Sequence, residues 1–185
     1  MEPGDLDDRT YTLLFGIRRS VLYHGHRRRF YEIWNSLTVF MASIGGSAAV
    51  AAFISASPNV YAVVPSVIVA VVGALDMAVG TARRANLHTL LAQQFIMLEK
   101  RFPASANLKD DEYAEIKATR LDIESSEPTA LRLLDVVCDE QLFMSMGGQA
   151  KFRIPWYRRW LAHWFSQVGY IQKHISPRLC GGAGT

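Results

Sequence analysis

Two apolar stretches decide the fold of this chain: residues 33–54 read IWNSLTVFMASIGGSAAVAAFI, and residues 60–79 read VYAVVPSVIVAVVGALDMAV. No charged side chain occurs in residues 37–54 or in residues 60–75. Each stretch is about 20 residues long, which is the length of helix that spans a bilayer core of about 30 Å. The sequence therefore predicts a transmembrane hairpin of two helices, with its turn at residues 55–59.

Arginines set the orientation that we expect for this hairpin. Six arginines precede the first stretch and two follow the second, whereas the turn SASPN carries no charge. Because positively charged flanks stay in the cytoplasm, both termini are expected there. Five arginines lie closest to the stretches and are expected to determine the topology: Arg27, Arg28, Arg29, Arg83 and Arg84. The alternative is a soluble protein with two long core helices, but such helices normally carry a polar face.

The rest of the chain is predicted to be helical, so the expected fold class is all-α. A juxtamembrane helix is expected in residues 1–32, the hairpin in 33–80, a cytoplasmic helical region in 81–150, an amphipathic helix in 151–176 and a disordered tail in 177–185. The second span is expected to continue without a break to Phe102. Its extension carries an apolar stripe that the N-terminal helix, later helices or another subunit must cover: Leu87, Leu90, Leu91, Phe95 and Leu98. Further helices are expected from Asp110 to Glu124 and from Pro128 to Gly147.

Small residues recur on the two spans. Five of them are expected to allow close helix packing: Ala42, Gly45, Gly46, Ala49 and Gly73. Such residues let helix backbones approach closely in lipid. Three serines fall near one face, where they serve either helix packing or the lining of a pore in an oligomer: Ser36, Ser43 and Ser47.

Asp76 is the one acidic residue inside a predicted span. A carboxylate in a membrane is costly and usually pairs with another group or marks an ion pathway. Two interpretations stay open. In the first, Asp76 has a structural role, either as a polar tie across the hairpin or in a pair with Arg83 or Arg84. In the second, it lies at the inner mouth of a cation pathway.

The C-terminal helix is expected to lie at a membrane interface. Three of the four tryptophans, Trp156, Trp160 and Trp164, recur every four residues beside Arg158 and Arg159. Basic, tryptophan-rich amphipathic helices are typical of such interfaces, and Trp34 is expected at headgroup level beside the first span. Packing on the cytoplasmic bundle is the alternative, and nucleic acid is not an expected partner.

The sequence lacks the short motifs of common enzymes. It has no glycine-rich phosphate loop, no cysteine pair at zinc spacing and no nucleophile elbow. We therefore expect no enzymatic activity, no cofactor and no metal.

A scattered set of residues resembles the SLATT family of bacterial two-span proteins. The matching segments are Tyr23-His24, Arg27 to Tyr31, Arg83-Arg84, His88, Leu98-Glu99-Lys100, Leu134-Asp135, Cys138-Asp139-Glu140 and Gly147. The resemblance covers roughly residues 10–150, although the family pattern leads us to expect an amide at Asp139. It implies an inner-membrane effector that is encoded beside nucleotide-signalling anti-phage enzymes.

The expected function is therefore that of an oligomeric effector in a bacterial anti-phage system, which forms a pore or disrupts the inner membrane when activated. Two helices cannot enclose a channel, so a homo-oligomer in the lipid bilayer is expected. A nucleotide-signalling enzyme or a reverse transcriptase is the expected kind of partner. The alternative function is a membrane-anchored scaffold or sensor that does not conduct and instead recruits or regulates a soluble protein.

Overall fold

The described residues of this chain form helices joined by turns. The structure is a computed structural model that describes residues 7–54, 60–102, 108–149 and 154–175, without the side chains of residues 48–54, 60–63 and 65. Every regular element in these ranges is an α-helix, which confirms the all-α class. The helices are α1 (Asp8–Ile54), α2 (Val60–Val79), α3 (Thr81–Glu99), α4 (Asp110–Ser125), α5 (Arg132–Ser145), α6 (Trp156–Leu161) and α7 (Val168–His174). The expected turn at 55–59, the tail at 177–185 and the side chain of Ala49 lie outside the described residues.

The chain divides into two units. Unit 1 comprises Met1–His26 and Leu90–Thr185, and unit 2 comprises Arg27–Thr89. Helix α1 continues from the N-terminal segment into the first apolar stretch without a break.

Unit 1 is held together by two apolar clusters. In the first cluster, Leu13 and Ile17 of α1 pack with Phe95 and Leu98 of α3 and Ile116 of α4. The second cluster joins α1, α5 and the C-terminal segment: Tyr23, Leu133, Leu134, Cys138, Ala162 and Ile175. Burial of these side chains is the main stabilising contribution to unit 1.

The α3 stripe is covered on one side only. Leu91, Phe95 and Leu98 are almost fully buried, so part of the stripe has the expected cover within the chain. Leu87 and Leu90, by contrast, are 38% and 58% exposed.

The prediction of one uninterrupted helix from the second span to Phe102 is wrong. Gly80 separates α2 from α3 and has a φ of +65°. A side chain makes this left-handed conformation costly, and glycine adopts it readily. Helix α3 then ends at Glu99.

Of the helices α4 and α5, only α5 begins at a different residue from the one expected. Helix α4 begins at Asp110 as predicted, and the Glu112 carboxylate accepts the backbone N–H of Lys109 at 3.1 Å. Helix α5 begins at Arg132, and not at Pro128 as predicted, because Leu131 still has an extended backbone. Gly147, with a φ of +87°, lies just beyond its end, as predicted.

The prediction of a single helix over residues 151–176 is also wrong. Helix α6 ends at Leu161, and α7 begins at Val168 after Gln167, which has a φ of 44°. The turn between them is attached to α5, because Ser166 accepts the backbone N–H groups of Arg132 and Leu133 at 3.2 and 3.3 Å. These two N–H groups have no acceptor in the first turn of α5, so the bonds satisfy the start of that helix.

Candidate functional site

Most of the described side chains in residues 33–47 and 64–79, the apolar parts of α1 and α2, are exposed. In the described part of the chain, one helical stretch, Ser66–Glu99, which runs from α2 through the turn at Gly80 into α3, is long and apolar enough to cross a membrane. Within its most apolar 18 residues, only 6% are buried, whereas a core helix of a soluble protein would be mostly buried. Large apolar side chains are exposed on both helices. They are Leu37, Val39, Phe40 and Ile44 on α1, and Val67, Ile68, Val71, Leu75 and Met77 on α2. This exposure is compatible with association with a membrane.

The glycines of α1 and α2 have different surroundings. A Cβ atom at Gly45 would lie 3.0 Å from Val69 Cβ and would overlap one of the Val69 methyl groups, so α1 and α2 approach closely there. Among the described residues, no atom lies within 4 Å of such a position at Gly46 or Gly73. Gly45 thus serves packing within the chain, and none of the described atoms fills the space beside Gly46 and Gly73. Ala42 is exposed as well.

The serines of α1 use their own helix as a hydrogen-bond partner. Ser43 donates to the carbonyl of Val39 at 2.9 Å, and Ser47 donates to the carbonyl of Ser43 at 2.8 Å. Ser36 is also exposed. Because the Ser43 and Ser47 hydroxyls already have acceptors, they tolerate an apolar neighbour as well as water.

Asp76 makes a polar tie near the start of α3. The hydroxyl of Thr81 donates to Asp76 Oδ1 at 2.6 Å, and Asn35 Oδ1 of α1 lies 3.5 Å from the same hydroxyl. Thr81 is 1% exposed. Among the described residues, no ion pair joins Asp76 to Arg83 or Arg84, so of the alternatives left open the contacts of Asp76 fit the polar tie.

The flanking arginines contact rings and main-chain oxygens of unit 2. Arg27 is almost buried, lies over the Tyr31 ring and donates a hydrogen bond to the Tyr31 hydroxyl. Arg84 donates to the carbonyl of Val79 at 3.0 Å and approaches the same hydroxyl at 3.4 Å. Arg28 pairs with Glu32 at 2.7 Å. Arg29 and Arg83 are exposed. The positive charge at this end of the helices is thus fixed in place at Arg27 and Arg84.

Sequence reasoning named His24 and His88 only as part of the family resemblance and did not predict that both are buried. His88 in unit 2 stacks on Tyr31 with ring centroids 5.7 Å apart. In unit 1, His24 is 1% exposed, stacks on Phe95, and its Nε2 lies 3.0 Å from Glu127 Oε1. A sequence signal for His88 does exist. It precedes Leu91, Phe95 and Leu98 in steps of three, four and three residues, which places His88 on the inward face of α3.

The C-terminal segment presents an aromatic surface, which we define as Trp156, Tyr157, Trp160, Trp164, Phe165 and Val168. These side chains are between 40% and 82% exposed. Trp34 of α1 is half-buried.

The two arginines of this segment differ. The Arg158 guanidinium lies 4.1 Å from the centre of the Tyr170 ring and donates to Gln167 Oε1 at 3.2 Å, so it connects α6 to the α7 region. Arg159 is exposed. The expected interface role of Arg158 and Arg159 stays a prediction, and the two arginines differ in how far they are engaged within the segment.

The described residues offer little catalytic chemistry. No group of three or more His, Cys, Asp or Glu residues among them could hold a metal ion. Burial raises the pKa of the Cys138 thiol to about 12, so this thiol stays protonated at neutral pH. An open groove of about 430 Å³ lies between α1, α3 and α5, and its charged residues Arg18 and Glu99 pair with each other at 2.7 Å.

Comparison of the chain with models of protein families, with curated proteins and with solved structures found no match. The SLATT resemblance therefore rests on the residues quoted above.

Proposed function

We propose that this chain is an oligomeric effector of the bacterial inner membrane that breaches the bilayer when a partner system activates it. In this proposal, α1 and α2 cross the membrane as a hairpin with both termini in the cytoplasm. The SLATT resemblance supports an anti-phage role and a nucleotide-signalling enzyme or reverse transcriptase as the partner.

One observation carries the oligomer. Leu90, Gln94 and Met97 lie on one face of α3 at the four- and three-residue steps of a coiled-coil seam. Leu90 and Met97 are 58% and 63% exposed, and Gln94 is exposed too. We call these three residues the α3 seam.

A second copy of the chain fits the α3 seam better than lipid does. Residues 85–98 contain no Asp, Glu, Lys or Arg, so identical seams meet without like-charge repulsion. The Gln94 amide both donates and accepts, so it can pair with the same residue of another copy. Copies in one bilayer also share one orientation, which favours a parallel arrangement of identical helices.

Cysteine cross-linking in membranes tests the assembly. Met97→Cys lies on the seam, and Ile96→Cys is a matched control, since Ile96 is exposed but points about 100° away around the helix. Both variants carry Cys180→Ser, while the buried Cys138 stays in place. We expect a disulfide-linked dimer for Met97→Cys and little for Ile96→Cys. Equal cross-linking at both positions, or none at either, would contradict the seam.

Liposome leakage then separates the two functions. Purified oligomer that releases a trapped dye supports the effector. An oligomer that cross-links at Met97→Cys but never releases dye or ions, even with its partner present, is the non-conducting scaffold instead.

A further inference from the structure

The aromatic surface is a folded feature of unit 1. Ala162 and Ile175, from the same segment, are 0% and 2% exposed and pack with Leu133, Leu134 and Cys138. The bonds from the start of α5 to Ser166 hold the intervening turn. The segment thus has an inner side that belongs to the core, and its large aromatic side chains remain on the outer side. An apolar patch on a well-anchored segment indicates a contact with something outside the chain.

Charge identifies the chemistry of that contact. Residues 151–185 contain six basic residues and no Asp or Glu: Lys151, Arg153, Arg158, Arg159, Lys173 and Arg178. Since the whole chain has 20 basic and 17 acidic residues, residues 1–150 hold 14 basic and 17 acidic ones. The positive charge of the protein is therefore concentrated in the segment that carries the aromatic surface, and an anionic surface is its electrostatic complement.

We propose that the aromatic surface binds the anionic face of a phospholipid bilayer, as a peripheral contact separate from the spans. Tryptophan and tyrosine rings are favoured at the headgroup level, because their apolar bodies enter the acyl boundary while their polar atoms stay hydrated. Phe165 and Val168, 64% and 44% exposed, add apolar area. Arg159 and Lys173 supply the attraction to anionic headgroups. The inference rests on the proposed function only in that the chain is attached to a membrane.

The geometry disfavours nucleic acid as the occupant. Binding of single strands combines stacking on rings with free cations that follow the backbone. Arg158, which stands between Trp156 and Trp160 in the sequence, is engaged with Tyr170 and Gln167 and serves as a positioning residue. That leaves more apolar ring surface than free positive charge, which suits a lipid interface better.

The test uses the full chain with Trp34→Phe, so that all tryptophan emission comes from Trp156, Trp160 and Trp164. The protein is reconstituted into vesicles of zwitterionic lipid, or of the same lipid with phosphatidylglycerol, each doped with brominated lipid. We expect strong quenching in anionic vesicles, weak quenching in zwitterionic ones, and partial reversal by salt. A docking constant follows from quenching against the phosphatidylglycerol fraction.

Charge removal makes the test specific. Arg159→Gln combined with Lys173→Gln should weaken docking roughly 25-fold, since each basic residue near an anionic surface contributes about fivefold. Lys117→Gln combined with Lys109→Gln, both exposed and on or beside α4, is the matched control and should leave docking unchanged. Far-UV circular dichroism verifies that all variants keep their helix content.

Three results would overturn the inference. The first is no quenching in either kind of vesicle. The second is equal quenching in both kinds of vesicle that neither double variant changes. The third is an emission shift with an oligonucleotide but none with lipid. Failure of the proposed function is separate: a protein that docks as described but neither cross-links at Met97→Cys nor releases dye keeps this inference and loses the effector.

Discussion

Adjacent glycines in α1 give the sharpest prediction about the packing of α1 against α2. Gly45 faces Val69 of α2, where a Cβ atom would lie 3.0 Å from Val69 Cβ and would overlap one of its methyl groups. At Gly46, none of the described atoms lies within 4 Å of the same position. Gly45→Ala and Gly46→Ala therefore add the same methyl group to the same helix in two different surroundings.

The size of the difference follows from two terms. Both changes gain helix propensity, at most about 1 kcal/mol, and this gain is common to the two variants. Only Gly45→Ala overpacks a helix contact, which typically costs about 1–3 kcal/mol. Val69 cannot easily rotate away, because a β-branched side chain has one strongly preferred rotamer in a helix. We therefore expect Gly45→Ala to be less stable than Gly46→Ala by about 1–3 kcal/mol.

Unfolding in detergent, followed by far-UV circular dichroism, measures this difference. Val69→Ala in the Gly45→Ala background should restore most of the loss, and the double-mutant cycle gives the coupling between the two positions. Equal unfolding free energies for the two alanine variants would refute the close approach of α1 and α2. So would a Val69→Ala change that fails to restore stability.

Gly46→Leu, by light scattering in detergent, should lower the oligomer mass without unfolding the chain, since bulk at an intermolecular packing site separates the helices; an unchanged mass would exclude Gly46 from that interface. Asp76→Asn keeps an acceptor for Thr81 but removes the charge, so the protein should insert normally with a lower cation preference in bilayer recordings, and unchanged selectivity would leave Asp76 as a polar tie. Because burial raises the pKa of the Cys138 thiol from 9 to about 12, the free energy of unfolding should fall as the pH rises from 9 toward 12. Unfolding measured against pH should lose this dependence in Cys138→Ala. Ser57→Cys should react with an impermeant thiol reagent from outside the cell and Lys117→Cys should not, and the reverse pattern would contradict the hairpin topology.

Most helices of unit 1 and unit 2 could be predicted because their sequence signals are local. The apolar stretches, the acidic first turn of α4 and Gly147 beyond the end of α5 each mark an element by composition alone. The break at Gly80 could not be predicted in this way, since a single glycine is tolerated inside a helix. The break is visible only in the backbone, where Gly80 has a φ of +65°.

The C-terminal segment shows the limit of helical periodicity. Trp156, Trp160 and Trp164 keep a four-residue spacing, yet Trp164 lies beyond the end of α6 at Leu161. Residues 162–167 contain no proline or glycine that would announce the break. The break arises from tertiary contacts: Ala162 and Ile175 are both buried in the cluster with α5, and Ser166 binds the start of that helix. These contacts override the local preference for one helix.

Helical periodicity also fails to separate the buried from the exposed residues in the apolar stripe of α3. The exposed residues determine how assembly should be measured. Periodicity marked Leu90 and Leu91 together, but Leu91 is 2% exposed and Leu90 is 58% exposed, because the helices of unit 1 cover only one side of α3. The exposed seam from Leu90 to Met97 is about two turns long, which is too short to associate alone in water. In the proposed topology, confinement of α1 and α2 to one bilayer raises the effective concentration of seams, so weak contacts act together. Assembly should therefore follow the ratio of protein to lipid, and diluting the protein with lipid at a constant concentration in solution should dissociate it.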